Sequence, residues 1–173
     1  MRSISVLLLC CACVLAQPSK TDSRWAPLAF LTGEWVGEGT GTPGEGIGGF
    51  SFLPEQDGRI LVRKSHADYP ATKEKPAYSH TDLTIVYRDS GETQLRAIYF
   101  DDEGHTIHYV VEPSADGNSV QFMSEALALQ PQYRLTYRKT GDDRIAIKFE
   151  IAPPGKPEAF STYIDATARR KSR

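Results

Sequence analysis

The chain has 173 residues, 40% of them hydrophobic, and a formal net charge of −2, enough length for one domain with a real core. The near-neutral balance, whose only basic cluster is the tail Arg169-Arg170-Lys171-Ser172-Arg173, excludes a nucleic-acid-binding stripe. Cys10, Cys11 and Cys13 all fall at the start of the chain, so a cysteine nucleophile or a cysteine-ligated zinc is excluded from everything after them.

In chain order, Met1-Arg2-Ser3 followed by the apolar run Ile4 to Leu15 reads as a secretory signal peptide cut after Ala16. The run is too short to span a bilayer, so no integral membrane domain is expected. Lipid anchoring at Cys13 is the alternative, although Cys10 stands where such a signal has Leu. A disulfide-free exported domain points to a periplasmic or secreted protein. Residues 17–24 are polar, contain Pro18 and read as a linker; residues 25–173 read as a single domain. Trp25 to Leu31 predicts one or two helical turns, with Pro27 near their start and apolar side chains that plug one end of the domain.

From Gly33 onward helical spacing gives way to alternation. Strands are predicted over 34–40, 47–53, 59–69, 78–88, 93–101, 106–112, 119–124, 132–139, 144–152 and 160–168. Short glycine-bearing turns such as Asp89-Ser90-Gly91-Glu92 and Ala115-Asp116-Gly117-Asn118 separate them, with no long helix between. Consecutive hairpins at this spacing predict an all-β fold, an antiparallel up-and-down barrel of about ten strands, because closure removes exposed edges without the crossing connections of a Greek-key sandwich. Strand 144–152 puts Ile145, Ile147, Phe149 and Ile151 on one face and Arg144, Lys148 and Glu150 on the other. Strand 93–101 is partly apolar on both faces. Tyr99, Tyr109 and Tyr137 each end an apolar ring in a hydroxyl, which suits a ligand cavity with a few polar anchors and equally a core filled by its own side chains.

In the first strand Gly37, Gly39 and Gly41 alternate and leave one face almost bare. The stretch Leu31-Thr32-Gly33-Glu34-Trp35-Val36-Gly37-Glu38-Gly39-Thr40-Gly41 resembles the first-strand signature of the calycins, and its Gly-x-Gly continuation is most similar to the nitrobindin family of ten-stranded haem-binding barrels. The resemblance covers about a dozen residues here and about ten at the end. It implies that Arg169 or Arg170 lies over Trp35, and that Gly33, Gly37 and Gly39 belong to the structural signature. It also implies haem and peroxynitrite isomerisation. Thr162-Tyr163-Ile164-Asp165-Ala166, however, places Tyr163 where the nitrobindins carry the haem-ligating His, so the expectation is a barrel without haem, with a Tyr163-ligated haem as the alternative.

The remaining chemistry is carried by four histidines. A hairpin centred near residue 73 or 74 brings His66 and His80 onto adjacent strands, and His80 shares a strand face with Asp82. Asp101, Glu103 and His105 meet at one turn with His108 on the strand after it, so His80, Asp82, His105 and His108 are the candidates for a metal, and none is required by spacing. Gly39-Thr40-Gly41-Thr42-Pro43-Gly44 fits a dinucleotide fingerprint in spelling only, since no helix comes after it. No nucleophile elbow, phosphate loop or zinc-protease motif is present, and no acid/base pair stands out. The expectation is a non-enzymatic binder of a small, largely apolar molecule, with Tyr163, Tyr99, Tyr109, Tyr137, His66 and His80 as its candidate contacts and no cofactor.

Overall fold

The computed structural model describes residues 23–42, 46–73 and 75–172. The predicted signal peptide, with its cysteines, and residues 17–22 lie outside them. A 3₁₀ helix over Ser23–Leu31 is followed by ten strands: β1 Gly33–Thr42, β2 Ile47–Glu55, β3 Ile60–Tyr69, β4 Tyr78–Tyr87, β5 Leu95–Asp101, β6 Thr106–Pro113, β7 Ser119–Ser124, β8 Gln132–Lys139, β9 Arg144–Ala152 and β10 Ser161–Arg170. All ten stand where alternation predicts them. The helix begins before the predicted linker ends.

Each strand pairs antiparallel with the next, and β10 closes on β1 through Trp35 opposite Arg170 and Gly37 opposite Ala168. The closed up-and-down barrel is consistent with a calycin-like fold. The ladder at this seam slips between Glu38 and Thr42, where Gly39 and Gly41 lie. A harder steric demand sits on β2. A Cβ on Gly48 would fall inside contact distance of the His66 carbonyl on β3, and one on Gly49 would meet the Trp35 carbonyl on β1. Two successive glycines therefore let β2 run unusually close to both neighbours.

The 3₁₀ helix closes one end. Trp25, Leu28 and Leu31 are buried in one core cluster with inward-facing barrel residues that include Trp35, Phe52, Leu61 and Val111. Its last carbonyls, which have no partners within the helix, are taken by the barrel: Trp35 Nε1 donates to Leu31 O at 2.7 Å, while Arg170 donates through Nη2 to Phe30 O at 2.9 Å and through Nη1 to Thr32 O. The same guanidinium carbon lies 4.4 Å from the Trp35 ring centroid. Gly33, at φ 123°, leaves room for it, since a Cβ there would sit 2.6 Å from Arg170 Nη1. At the start of the helix Trp25 Nε1 donates to Gly58 O at 2.8 Å, in a β2–β3 turn where Gln56, Asp57 and Gly58 all have positive φ.

Candidate ligand-binding site

On β4, β5, β6, β9 and β10 the inward side chains turn from fully buried to part-exposed as the strand leaves the plugged end, whereas on β7 Val120, Phe122 and Ser124 all stay buried. On β4 Val86 and Thr84 are buried and Asp82 and His80 part-exposed; on β5 the change falls between Ala97 and Tyr99; on β6 between Tyr109 and Ile107; on β9 between Ile145 and Ile147; on β10 between Ala168 and Ala166. Inward-facing side chains are thus packed at the helical plug and reach solvent toward the opposite end, where the β3–β4, β5–β6, β7–β8 and β9–β10 connections surround a mouth. Gly37, Ser65, Ala67 and Ala166 put small residues on one wall of that open half, and Tyr133, Phe149 and Ile164 line the other part. Tyr133 and Phe149 stack at 5.9 Å.

A polar cluster marks the boundary between the two halves. Arg63, inward on β3, donates from Nη1 to Asp82 Oδ1 on β4, and its guanidinium lies 5.0 Å from the Phe50 ring centroid. The two side chains are 13% and 8% exposed. Burial alone would lower the Arg63 pKa, but Asp82, with Tyr137 and Tyr99 beyond it, outweighs this and raises it, so the residue is a cation in the barrel. Tyr137 is wholly buried, with the rings of Phe50, Phe52 and Phe122 at 6.0, 5.6 and 5.9 Å. Burial pushes its hydroxyl up to about 12 even though neighbouring Arg63 pulls the other way. Tyr99 and Tyr109 are also raised, first by burial and then, for Tyr99, by the charges of Asp82 and Asp101. All three tyrosines are therefore hydroxyl donors at neutral pH. Arg63 Nε and Tyr137 Oη are both sealed from solvent, and Arg63 approaches the Tyr137 hydroxyl closely enough to interact with it.

Above this cluster, His80 and the β5–β6 turn meet at the rim. Tyr99 Oη donates to Asp101 Oδ2 at 3.2 Å and lies 3.4 Å from His80 Nε2. His80 Nδ1 is 3.2 Å from Asp102 Oδ1 and 3.7 Å from Glu103 Oε1, and His105 Nδ1 is 2.8 Å from Asp101 Oδ2. Asp101, Glu103 and His105 are close enough together to hold a metal ion. Burial would raise the Asp101 carboxyl, but the backbone N–H and the ring of His105 outweigh it and hold the carboxyl below its usual range.

The strand parity separates the other predicted residues. Although the hairpin brings β3 and β4 together as expected, His66 faces Thr81 and His80 faces Ala67, so His66 points outward and His80 inward. His108 is likewise turned outward and exposed, since its neighbours Ile107 and Tyr109 face the interior. Tyr109 is buried, edge-on to Phe122 at 6.1 Å. Tyr163 lies at the mouth beside a slip in the β9–β10 ladder, 50% exposed and edge-on to Phe149 at 6.2 Å. Of the two closing arginines, Arg170 takes Trp35, while Arg169 turns outward to Glu38, 3.1 Å away. The residue that sequence reasoning passes over is Arg63. Its strand alternates Leu61, Arg63, Ser65 and Ala67 with Val62, Lys64 and His66, so neither face is apolar enough to be named the inner one. The chain matches no known protein family and no curated protein.

Proposed function

We propose that this protein is an exported calycin-type barrel, most like the nitrobindins in its first strand, that binds a small, largely apolar molecule in the half of its interior facing the mouth. The observation that carries the reading is the graded burial of the inward-facing residues, which leaves aromatic and aliphatic side chains accessible on one side of a buried polar cluster and fully packed on the other. A lining of this kind, mostly apolar with few polar groups, is what small-molecule sites share. The ligand enters past Tyr163 and Tyr133, its apolar body against Phe149, Ile147 and Ile164, and reaches toward Tyr99, Tyr137 and Arg63. Binding follows mass action and no covalent step is involved.

Haem held by Tyr163 fits these residues poorly. A phenolate ligand to ferric haem needs a nearby cation, and among the described residues no cation is paired with Tyr163 or stacked on its half-exposed ring.

Native mass spectrometry of the protein purified from its host, without detergent, tests the proposal. An adduct of small-molecule mass that is lost on denaturation is the expected result. Protein at its bare polypeptide mass that also takes up no neutral apolar dye would refute it. The N-terminus of the same preparation, expected at Gln17, tests export.

A further inference from the structure

A cluster at the rim of the mouth carries chemistry that is independent of whatever the interior holds. The β5–β6 turn, Asp101-Asp102-Glu103-Gly104-His105, presents side chains at alternate positions, and donor atoms of Asp101, Glu103 and His105 all lie within 4.8 Å of one another. His105 Nδ1 is the hub: Asp101 Oδ2 stands 2.8 Å from it and Glu103 Oε2 3.9 Å. Donors bonded at about 2.1 Å to one ion lie at most about 4.2 Å apart, so both spacings already suit a shared ion and a small rotation of the exposed Glu103 side chain completes the set. The turn is held in this shape from behind. Asp101 Oδ1 accepts from the backbone N–H of Glu103 at 3.1 Å and of His105 at 2.8 Å, which leaves Oδ2 aimed at the cluster. Tyr99 Oη donates to that same Oδ2, and His80 Nδ1 approaches the other Glu103 oxygen to 3.7 Å, the kind of outer support that fixes metal ligands.

Burial supplies a separate reason for a cation. The Asp101 side chain is 4% exposed, and a buried carboxylate is expected to meet a counter-charge or a metal. Among the described residues, every ion-pair partner of Asp101, Asp102 and Glu103 is a histidine, either His80 or His105, and no lysine or arginine is paired with them. A histidine supplies that charge only by holding a proton, whereas a divalent ion on the Nδ1 lone pair supplies it at neutral pH. One imidazole nitrogen with two carboxylates suits a first-row transition ion, zinc above all; calcium prefers about 6–8 oxygens and gains little from an imidazole.

We propose that Asp101, Glu103 and His105 form a zinc-type site at the barrel mouth, its remaining coordination positions open to water, since the Glu103 and His105 side chains are 61% and 54% exposed. The test is calorimetric titration of the exported, chelator-treated protein with Zn²⁺ and with Ca²⁺ at pH 7. One Zn²⁺ per chain is the expected result, bound at least about 100-fold more tightly than Ca²⁺. Glu103→Gln and His105→Gln, both at exposed positions and checked for an unchanged far-UV spectrum, should each weaken Zn²⁺ binding at least about 10-fold. His108→Gln, exposed on the outer face of β6, should leave it unchanged. Zn²⁺ affinity that survives in both turn variants, or that falls equally in His108→Gln, overturns the site. So does a protein that takes up no Zn²⁺ at all, and Ca²⁺ bound as tightly as Zn²⁺ overturns the choice of metal.

Discussion

At the scale of single residues, the interior is governed by one buried ion pair. Arg63 and Asp82 face each other across β3 and β4 with 13% and 8% of their side chains exposed. Removing one partner of such a pair strands the other charge, which typically costs about 3–5 kcal/mol, whereas removing both often costs little. Arg63→Met should therefore lower unfolding free energy in urea by about that amount, and Arg63→Met combined with Asp82→Leu should recover most of it. Equal destabilisation by the single and double variants would show that the pair contributes through packing alone. The same pair shows where sequence reading stops. Asp82 is visible as the neighbour of a histidine on one strand face, but nothing in β3 says that Arg63 turns inward, because parity is set by pairing with residues about 20 positions away.

At the scale of elements, alternation and glycine-bearing turns made all ten strands legible, since each hairpin is specified by local sequence. The β2 glycines are a different case. Gly37, Gly39 and Gly41 attract notice because they alternate, yet a Cβ at Gly37 would sit 3.4 Å from the Gly48 carbonyl, in tight but tolerable contact, while Gly48 and Gly49 have no room at all. That constraint comes from the approach of three strands and leaves no periodic trace. The helical plug is the element whose fastening can be tested. Arg170 stacks on Trp35 and donates to two carbonyls at the helix end, so Arg170→Met should cost about 2–3 kcal/mol and red-shift the tryptophan fluorescence as the plug loosens. Arg169→Met loses a pair with Glu38 and a hydrogen bond from Nη1 to the Arg170 carbonyl, both on the outer surface with its own side chain 38% exposed, and should cost under about 1 kcal/mol. If the two substitutions behaved alike, the stacked arginine would not be the fastening.

At the scale of the whole molecule, acid is the condition the fold is least equipped for. Glu150 is held below its usual range chiefly by the Arg134 hydrogen bond, against its burial, and Asp101 is held down by His105 after burial is offset. A carboxyl whose folded pKa is depressed adds stability that is fully present above its unfolded value, 3.8 for Asp and 4.5 for Glu, and is lost as pH falls through the folded value. Thermal midpoints should accordingly be flat from pH 7 to about 5 and fall below about 4, with a shallower fall in Asp101→Asn and Glu150→Gln. A loss of stability that is complete by about pH 5 would contradict that assignment.

Among the described strands, the seam between β1 and β10 is the one pairing that joins distant parts of the chain. Until it closes, both strands present unpaired backbone, the condition under which β proteins recruit one another into aggregates. β1, with Gly33, Gly37, Gly39 and Gly41 and with Glu34 and Glu38 between them, is a weak strand former with charge along its edge, and β10 ends in Arg169 and Arg170. Glu38 and Arg169 meet each other once the ring is shut. The glycines of the first strand, of which Gly39 and Gly41 lie at the slip in its ladder, thus also make it a poor template for any chain but its own.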